Sequence, residues 1–115
     1  MVGAPDAHSD QGGAYVYKYA DQQWSELAQL TASDSAVNDN FGSSVAISGD
    51  YAVVGAHNED VNGSNSGSAY IYYKDQAGTD NWGQLKKIDP SNGGTDDNFG
   101  YTVAISGDYI VASAR

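Results

Sequence analysis

The sequence contains no cysteine among its 115 residues, only two prolines and only five basic side chains. The missing cysteines exclude disulfide bridges and thiolate metal sites, although they do not fix the compartment in which the protein works. The five basic residues stand against 15 acidic ones, and the formal charge of -10 creates a field that repels phosphate backbones. We therefore expect no nucleic-acid partner.

Long apolar runs are also missing. No stretch of about 18 consecutive apolar residues occurs, and the first residues show no charged start followed by an apolar segment. The sequence therefore predicts neither insertion into a membrane nor a signal peptide within this chain. If the parent protein is secreted, we expect its signal to lie outside this segment.

The residue patterns of common enzymes are absent as well. His8 and His57 are the only histidines, and no Gly-x-Ser-x-Gly elbow, His-Glu-x-x-His pair or glycine-rich phosphate loop occurs. Glu59 and Asp60 could form an acid pair, but no second, differently tuned carboxylate accompanies them. The sequence thus predicts a protein that is not an enzyme.

What the sequence does contain is an internal repeat. Residues 39–56 read DNFGSSVAISGDYAVVGA and residues 97–114 read DNFGYTVAISGDYIVASA, with 13 of 18 positions identical at an offset of 58. Similar matches continue outside this stretch, with offsets that change by a few residues at the loops, as surface loops tolerate. These matches pair Trp24 with Trp82, Leu27 with Leu85, Leu30 with Ile88, residues 13–17 with 68–72, and residues 2–4 with 54–56.

One complete repeat unit predicts four strands, because alternating β-branched and aromatic residues are separated by turn residues. The predicted strands are Ser43 to Ile47, Tyr51 to Ala56, Ser68 to Lys74 and Trp82 to Ile88. Four short antiparallel strands in roughly 40 to 60 residues are typical of a β-propeller blade. The fold class predicted is all-β, with small residues such as Val53 and Val54 in the inner strands.

The repeat also predicts how the chain is divided. Strands 2-3-4 of a partial blade occupy about 1–31, a full blade occupies about 39–89, and strands 1-2 of another partial blade occupy about 97–115. The bulky side chains of Tyr70, Tyr72 and Trp82 are expected to fill the wider space between blades. The chain therefore carries two blade-equivalents.

The repeated residues resemble the FG-GAP repeat of integrin α-subunit propellers and their bacterial relatives. This resemblance implies a ring of about seven blades on extracellular or cell-surface proteins that bind other proteins or surfaces. Only the first copy has the full Gly-Ala-Pro. The residues that carry the resemblance are Phe41, Gly42, Phe99, Gly100, Gly3, Ala4, Pro5, Gly55 and Ala56, with Trp24 and Trp82 as repeated aromatic positions.

The resemblance also raises the question of calcium. Family repeats often hold a cation in an Asp-rich loop between strands 1 and 2, but here that connection is only Ser48-Gly49-Asp50 or Ser106-Gly107-Asp108. Three residues are too few to supply the six to eight oxygens that Ca²⁺ needs, so we expect no cofactor there. A weaker Ca²⁺ candidate is the loop with Asp60, Asn62 and Ser64, although it lacks a closing bidentate carboxylate. Turn formation by these residue types is the favoured interpretation.

The acidic residues before each Phe-Gly allow two interpretations. Asp39 and Asp97 could line one end of a channel, or they could accept backbone N–H bonds and fix the turn. We favour the turn. Phe41 and Phe99 are interpreted as packing residues rather than as a binding site.

The sequence predicts that the chain is its own partner. Incomplete units would leave strand edges unpaired, and strands 1-2 of one chain could complete strands 3-4 of another in a cyclic ring. Two blade-equivalents per chain give six blades in a trimer or eight in a tetramer. The alternatives are a piece cut from a longer propeller or a designed piece.

Two functions remain open at this point. The first is a structural or interaction module of the adhesion type that presents loops to an extracellular protein or glycan. The second is a calcium-dependent adhesion or glycan-binding module, and an enzyme acting on polysaccharide is a further alternative.

Overall fold

The described chain consists of strands and turns. The computed structural model describes residues 1–4, 12–34, 39–57, 67–76, 78–79, 81–89 and 96–114, and this part contains no helix. It therefore has no helical segment suited to crossing a membrane. The strands are β1 (Val2–Ala4), β2 (Gly13–Ala20), β3 (Gln23–Leu30), β4 (Phe41–Ser48), β5 (Tyr51–Ala56), β6 (Ser68–Tyr73), β7 (Gly83–Ile88), β8 (Val103–Ser106) and β9 (Tyr109–Ala112).

These strands form three antiparallel sheets. Their orders are β1-β2-β3, β4-β5-β6-β7 and β8-β9, and we call them the first, second and third unit. The all-β class is confirmed, and the sheets follow the order 2-3-4, 1-2-3-4, 1-2 that the repeat predicts. The described chain contains no closed ring.

Strand bounds differ slightly from the sequence prediction at three strands. β6 ends at Tyr73 rather than at Lys74, β7 begins at Gly83 rather than at Trp82, and β4 differs at both ends. β4 begins at Phe41 rather than at Ser43, because Phe41 pairs with Ala56 and the register then shifts before Ser44 pairs with Gly55. Gly42 and Ser43 therefore have no counterparts on β5, which is one residue more than in the usual bulge. The Phe-Gly pair is therefore part of the sheet.

Tight turns join the first two strands of the second and third units. Ser48 pairs with Tyr51, and Ser106 pairs with Tyr109, so each connection has two residues. Gly49 and Gly107 adopt φ angles of 57° and 54°, the left-handed region that glycine enters without steric cost. The short hairpins expected from the sequence are confirmed.

The core lies between the first and second units. Phe41, Tyr70 and Tyr72 are buried, and the Phe41 ring meets the two tyrosine rings edge-on at 5.4 and 6.2 Å. They pack in one cluster with the small or aliphatic side chains of the first unit, among them Val16 and Leu30. The expected role of Tyr70 and Tyr72 between units is confirmed.

Candidate functional site

The Phe-Gly residues of one unit lie against the Gly-Ala residues of the unit before it. We call the contact of the first and second units the first junction. Here Gly12 and Phe41 form an isolated parallel bridge. A Cβ added to Gly3 would overlap the carbonyl oxygen of Gly42. The backbones touch directly, so only glycine fits at this position.

The second junction, between the second and third units, repeats the first. Gly67 and Phe99 form the equivalent parallel bridge, and a Cβ on Gly55 would overlap the carbonyl oxygen of Gly100. The Ser44 hydroxyl donates a hydrogen bond to the same oxygen at 2.9 Å. The repeated motif is thus the contact between consecutive units.

A turn precedes Phe-Gly in both copies. Asn40 and Asn98 have φ angles of 57° and 53°, and their carbonyl oxygens accept bonds from the N–H of Ser43 at 3.0 Å and of Tyr101 at 3.1 Å. The Asn residues reach the left-handed region at low cost. These turn bonds join backbone atoms.

The two aspartates beside this turn differ in exposure. Asp39 is buried and Asp97 is half-buried. Whether their carboxylates accept backbone N–H bonds or line a channel stays a prediction.

A polar cluster of Asp34, Tyr70 and Lys87 joins the first and second units beside their core. The Tyr70 hydroxyl donates to Asp34 Oδ1 at 2.9 Å, and Lys87 Nζ lies 2.6 Å from Asp34 Oδ2. Nearby, the Tyr72 hydroxyl donates to the Thr31 carbonyl oxygen at 2.6 Å. Burial, with the charge of Asp34, raises the pKa of Tyr72 and keeps its hydroxyl a donor.

The Asp34 carboxylate makes stability depend on pH. Burial acts to raise the pKa of Asp34, but the bonds from Lys87 and Tyr70 and the charge of Lys87 outweigh it, so this pKa lies below the ordinary 3.8. A depressed carboxyl pKa stabilises the fold above the unfolded pKa, and this contribution is lost as the pH falls through the folded pKa. We expect urea titrations to show that loss below about pH 4, and Asp34→Asn to lack it.

The control is Asp21→Asn, in the exposed β2–β3 turn, which should keep the acid-induced loss. The contradicting outcome is that acidification lowers the free energy of unfolding equally in Asp34→Asn and in the unchanged protein. That result would show that the cluster does not join the units.

His57 lies in the second junction. Its Nδ1 is 2.8 Å from the Ser43 hydroxyl, its Nε2 is 3.4 Å from the Asn40 amide nitrogen, and its ring meets the edge of the Tyr101 ring at 5.3 Å. Burial lowers the pKa of His57 and favours the neutral ring. A Ser–His contact can activate a nucleophile when a third group orients the base. Here an amide of the preceding turn faces the other nitrogen, so these contacts fit a packed junction.

Whether the candidate metal loop holds Ca²⁺ stays a prediction. Asp60, Asn62 and Ser64 lie outside the described residues, as does Pro5. Within the described ranges, no group of three His, Asp or Glu side chains could hold a metal ion.

Two grooves accompany the junctions. A groove of about 290 Å³ beside the first junction is lined by Leu30, Tyr72, Trp82 and neighbouring polar residues. The indole N–H of Trp82 is buried there without a hydrogen-bond partner among the described residues. The second groove, of about 240 Å³ and mainly apolar, lies between the second unit and the β8–β9 hairpin.

Equivalent side chains differ in burial according to whether another unit covers them. Tyr72 is 2% exposed, whereas Tyr17, its match in the first unit, is 39% exposed. Val53 is fully buried, whereas Val111, its match in the third unit, is 67% exposed. Within the described residues, one face of the first unit and one face of the third are therefore uncovered.

The repeated tryptophans follow the same rule. Trp82 is half-buried and packs against the core, whereas Trp24 is exposed and contacts the Tyr19 ring at 5.2 Å. The sequence repeat identifies both as equivalent positions, but only their neighbours decide which is buried. The tertiary contacts of Asp34, Lys87 and His57 have no such repeat signal, so the sequence analysis did not predict them.

In the comparison with known proteins, one family model matches the chain. A family model described as FG-GAP repeat matches residues 24–72 and 82–115, which is more than half of the chain. Both matched ranges begin at a repeated tryptophan, so they follow the same 58-residue offset as the Phe-Gly motif. No curated protein matched the chain.

Proposed function

Because the chain belongs to the FG-GAP repeat family, a propeller-type structural or interaction module, we propose that it works as an adhesion-type module outside the cell, in a ring closed by further copies of itself. The module has no catalytic role. Its ligand is an extracellular protein or a glycan, bound by the loops that the ring presents.

The observation that carries this proposal is the equivalence of the two junctions. Each one sets a Phe-Gly pair against the Gly-Ala of the preceding unit and adds a parallel bridge, through Gly12 in one case and Gly67 in the other. A contact that the chain makes twice with different units is a transferable interface. Both Phe-Gly pairs are used within the chain, so assembly between chains would extend the same packing of unit on unit without a third pair.

The uncovered faces support assembly in the same way. The first unit exposes aromatic side chains, including Tyr17, Tyr19 and Trp24, and the third unit exposes Tyr109 and Val111. Contiguous apolar surface of this kind is typical of an interaction site. The two faces differ from each other, so assembly is head-to-tail and gives a ring when the rotation closes.

Light scattering behind size exclusion tests this proposal. Over about two decades of protein concentration, we expect a mass near three or four times 12.1 kDa, for six or eight blades. Assembly by mass action should raise the fraction of this species with concentration. A folded species of 12.1 kDa at every concentration would contradict assembly.

A further inference from the structure

The second unit shows how a third strand is flanked when its unit is complete. β6 pairs with β5 on one edge and with β7 on the other. On the β5 side, Tyr51 lies opposite Tyr73, Ala52 opposite Tyr72 and Val53 opposite Ile71. This register serves as a template because β6 and β2 are equivalent strands of the repeat.

In the first unit, the same edge of β2 is only partly covered. β1 pairs with Gly13, Ala14 and Tyr15. Beyond them, Val16, Tyr17 and Lys18 pair with β3 on one side, and no described strand lies on the other. The uncovered stretch corresponds to Ile71, Tyr72 and Tyr73 of the template.

The third unit has the complementary opening. β9 pairs with β8 on one side, and within the described residues no strand lies on its other side. Tyr109, Ile110 and Val111 are the counterparts, 58 residues on, of Tyr51, Ala52 and Val53. Tyr109 is 80% exposed, as expected of a strand that lacks its neighbour.

We propose that β9 of one copy adds to the free edge of β2 of a second copy with Ile110 opposite Tyr17, an inference that rests on the ring proposed above. The template register then sets Tyr109 opposite Lys18 and Val111 opposite Val16. At residues 13–15 of β2, the β1 strand of that second copy keeps the edge, because residues 112–114 of the first copy would set Ser113 in the place of Gly3, where a Cβ overlaps the carbonyl oxygen of Gly42. The added strand therefore pairs at residues 16–18.

In this arrangement, the side chain of Tyr17 would occupy the groove beside the second junction. It is lined by Tyr51, Ile71 and Leu85 of the second unit and by Ile110 of the hairpin. In the first junction, the equivalent tyrosine, Tyr72, lies in the cluster formed with the face of the preceding unit. Tyr17 of the second copy would lie beside Ile110, as Tyr72 lies beside Ala52, and its ring would face this groove.

The register can be tested by disulfide trapping, because the chain has no cysteine of its own. Four single variants are made: Tyr17→Cys, Lys18→Cys, Tyr109→Cys and Ile110→Cys. Mixing 17 with 110, or 18 with 109, places the cysteines opposite each other, where their Cβ atoms come close enough for a disulfide. Mixing 17 with 109, or 18 with 110, offsets them by one residue onto opposite faces.

We expect mild oxidation to link the two in-register mixtures at least about tenfold faster than the two offset mixtures, measured on non-reducing denaturing gels. Each variant appears in one mixture of each kind, so a variant that fails to fold lowers the rate in both. Preferred linkage in the offset mixtures, or equal rates in all four, would overturn the register.

The mass of the unsubstituted protein separates this inference from the proposed function. If the unsubstituted protein is an oligomer but the offset mixtures link fastest, the register is refuted and the proposed ring is retained. A monomer at all concentrations refutes the ring and the register together.

Discussion

Gly42→Ala should destabilise the fold by about 3 kcal/mol or more. Gly42 has a φ of 93°, and a Cβ there would overlap the carbonyl oxygen of Gly13. A strained φ alone costs roughly 1–3 kcal/mol, and here backbone atoms on the facing unit would also have to move. Because small domains have only about 5–15 kcal/mol of stability, the midpoint of urea unfolding should fall steeply.

The matched control is Gly49→Ala in the β4–β5 turn. Gly49 also has a positive φ, 57°, but no atom lies within 4 Å of an added Cβ. Its loss should therefore be the conformational cost alone, about 1–2 kcal/mol. Similar midpoints for the two variants would mean that the junction does not depend on close backbone approach.

Phe41→Ala and Phe99→Ala should differ although both residues sit in the same Asp-Asn-Phe-Gly context. Phe41 is fully buried against Tyr70 and Tyr72, and truncating a buried phenylalanine costs about 3–5 kcal/mol. Phe99 is only half-buried, so its loss should be less than half as large. Urea unfolding is measured in dilute protein, where light scattering gives the mass of a single chain.

Assembly should remove this difference. In the register proposed above, Tyr15 and Tyr17 of the next copy would take the places around Phe99 that Tyr70 and Tyr72 take around Phe41. The loss for Phe99→Ala should therefore rise toward the Phe41 value in the assembled protein. Equal losses in the single chain would contradict the packing of Phe41 described here.

The repeat alone predicts the sheets, because each strand has a partner of similar sequence 52 to 58 residues away. It does not predict exposure. Trp24 and Trp82 occupy one repeat position, yet Trp24 is 67% exposed, since side-chain burial depends on the neighbouring unit and not on the local pattern.

The polar contacts were beyond sequence reasoning for a different reason. Asp34 and Lys87 are 53 residues apart, and neither has the same residue type at its counterpart in the other copy. His57 contacts Tyr101 across the second junction, although its loop varies between copies. Such contacts follow from how units pack, which a repeat pattern leaves open.

The outer edge of the second unit has a consequence for solubility. β7 is the last strand of its sheet, and it carries the exposed Lys86, one of only five basic residues in the chain. Lysine on an edge strand discourages pairing with another sheet. In the register proposed above, the edges of β2 and β9 serve for strand addition, whereas this edge resists the sideways stacking that leads to fibrils.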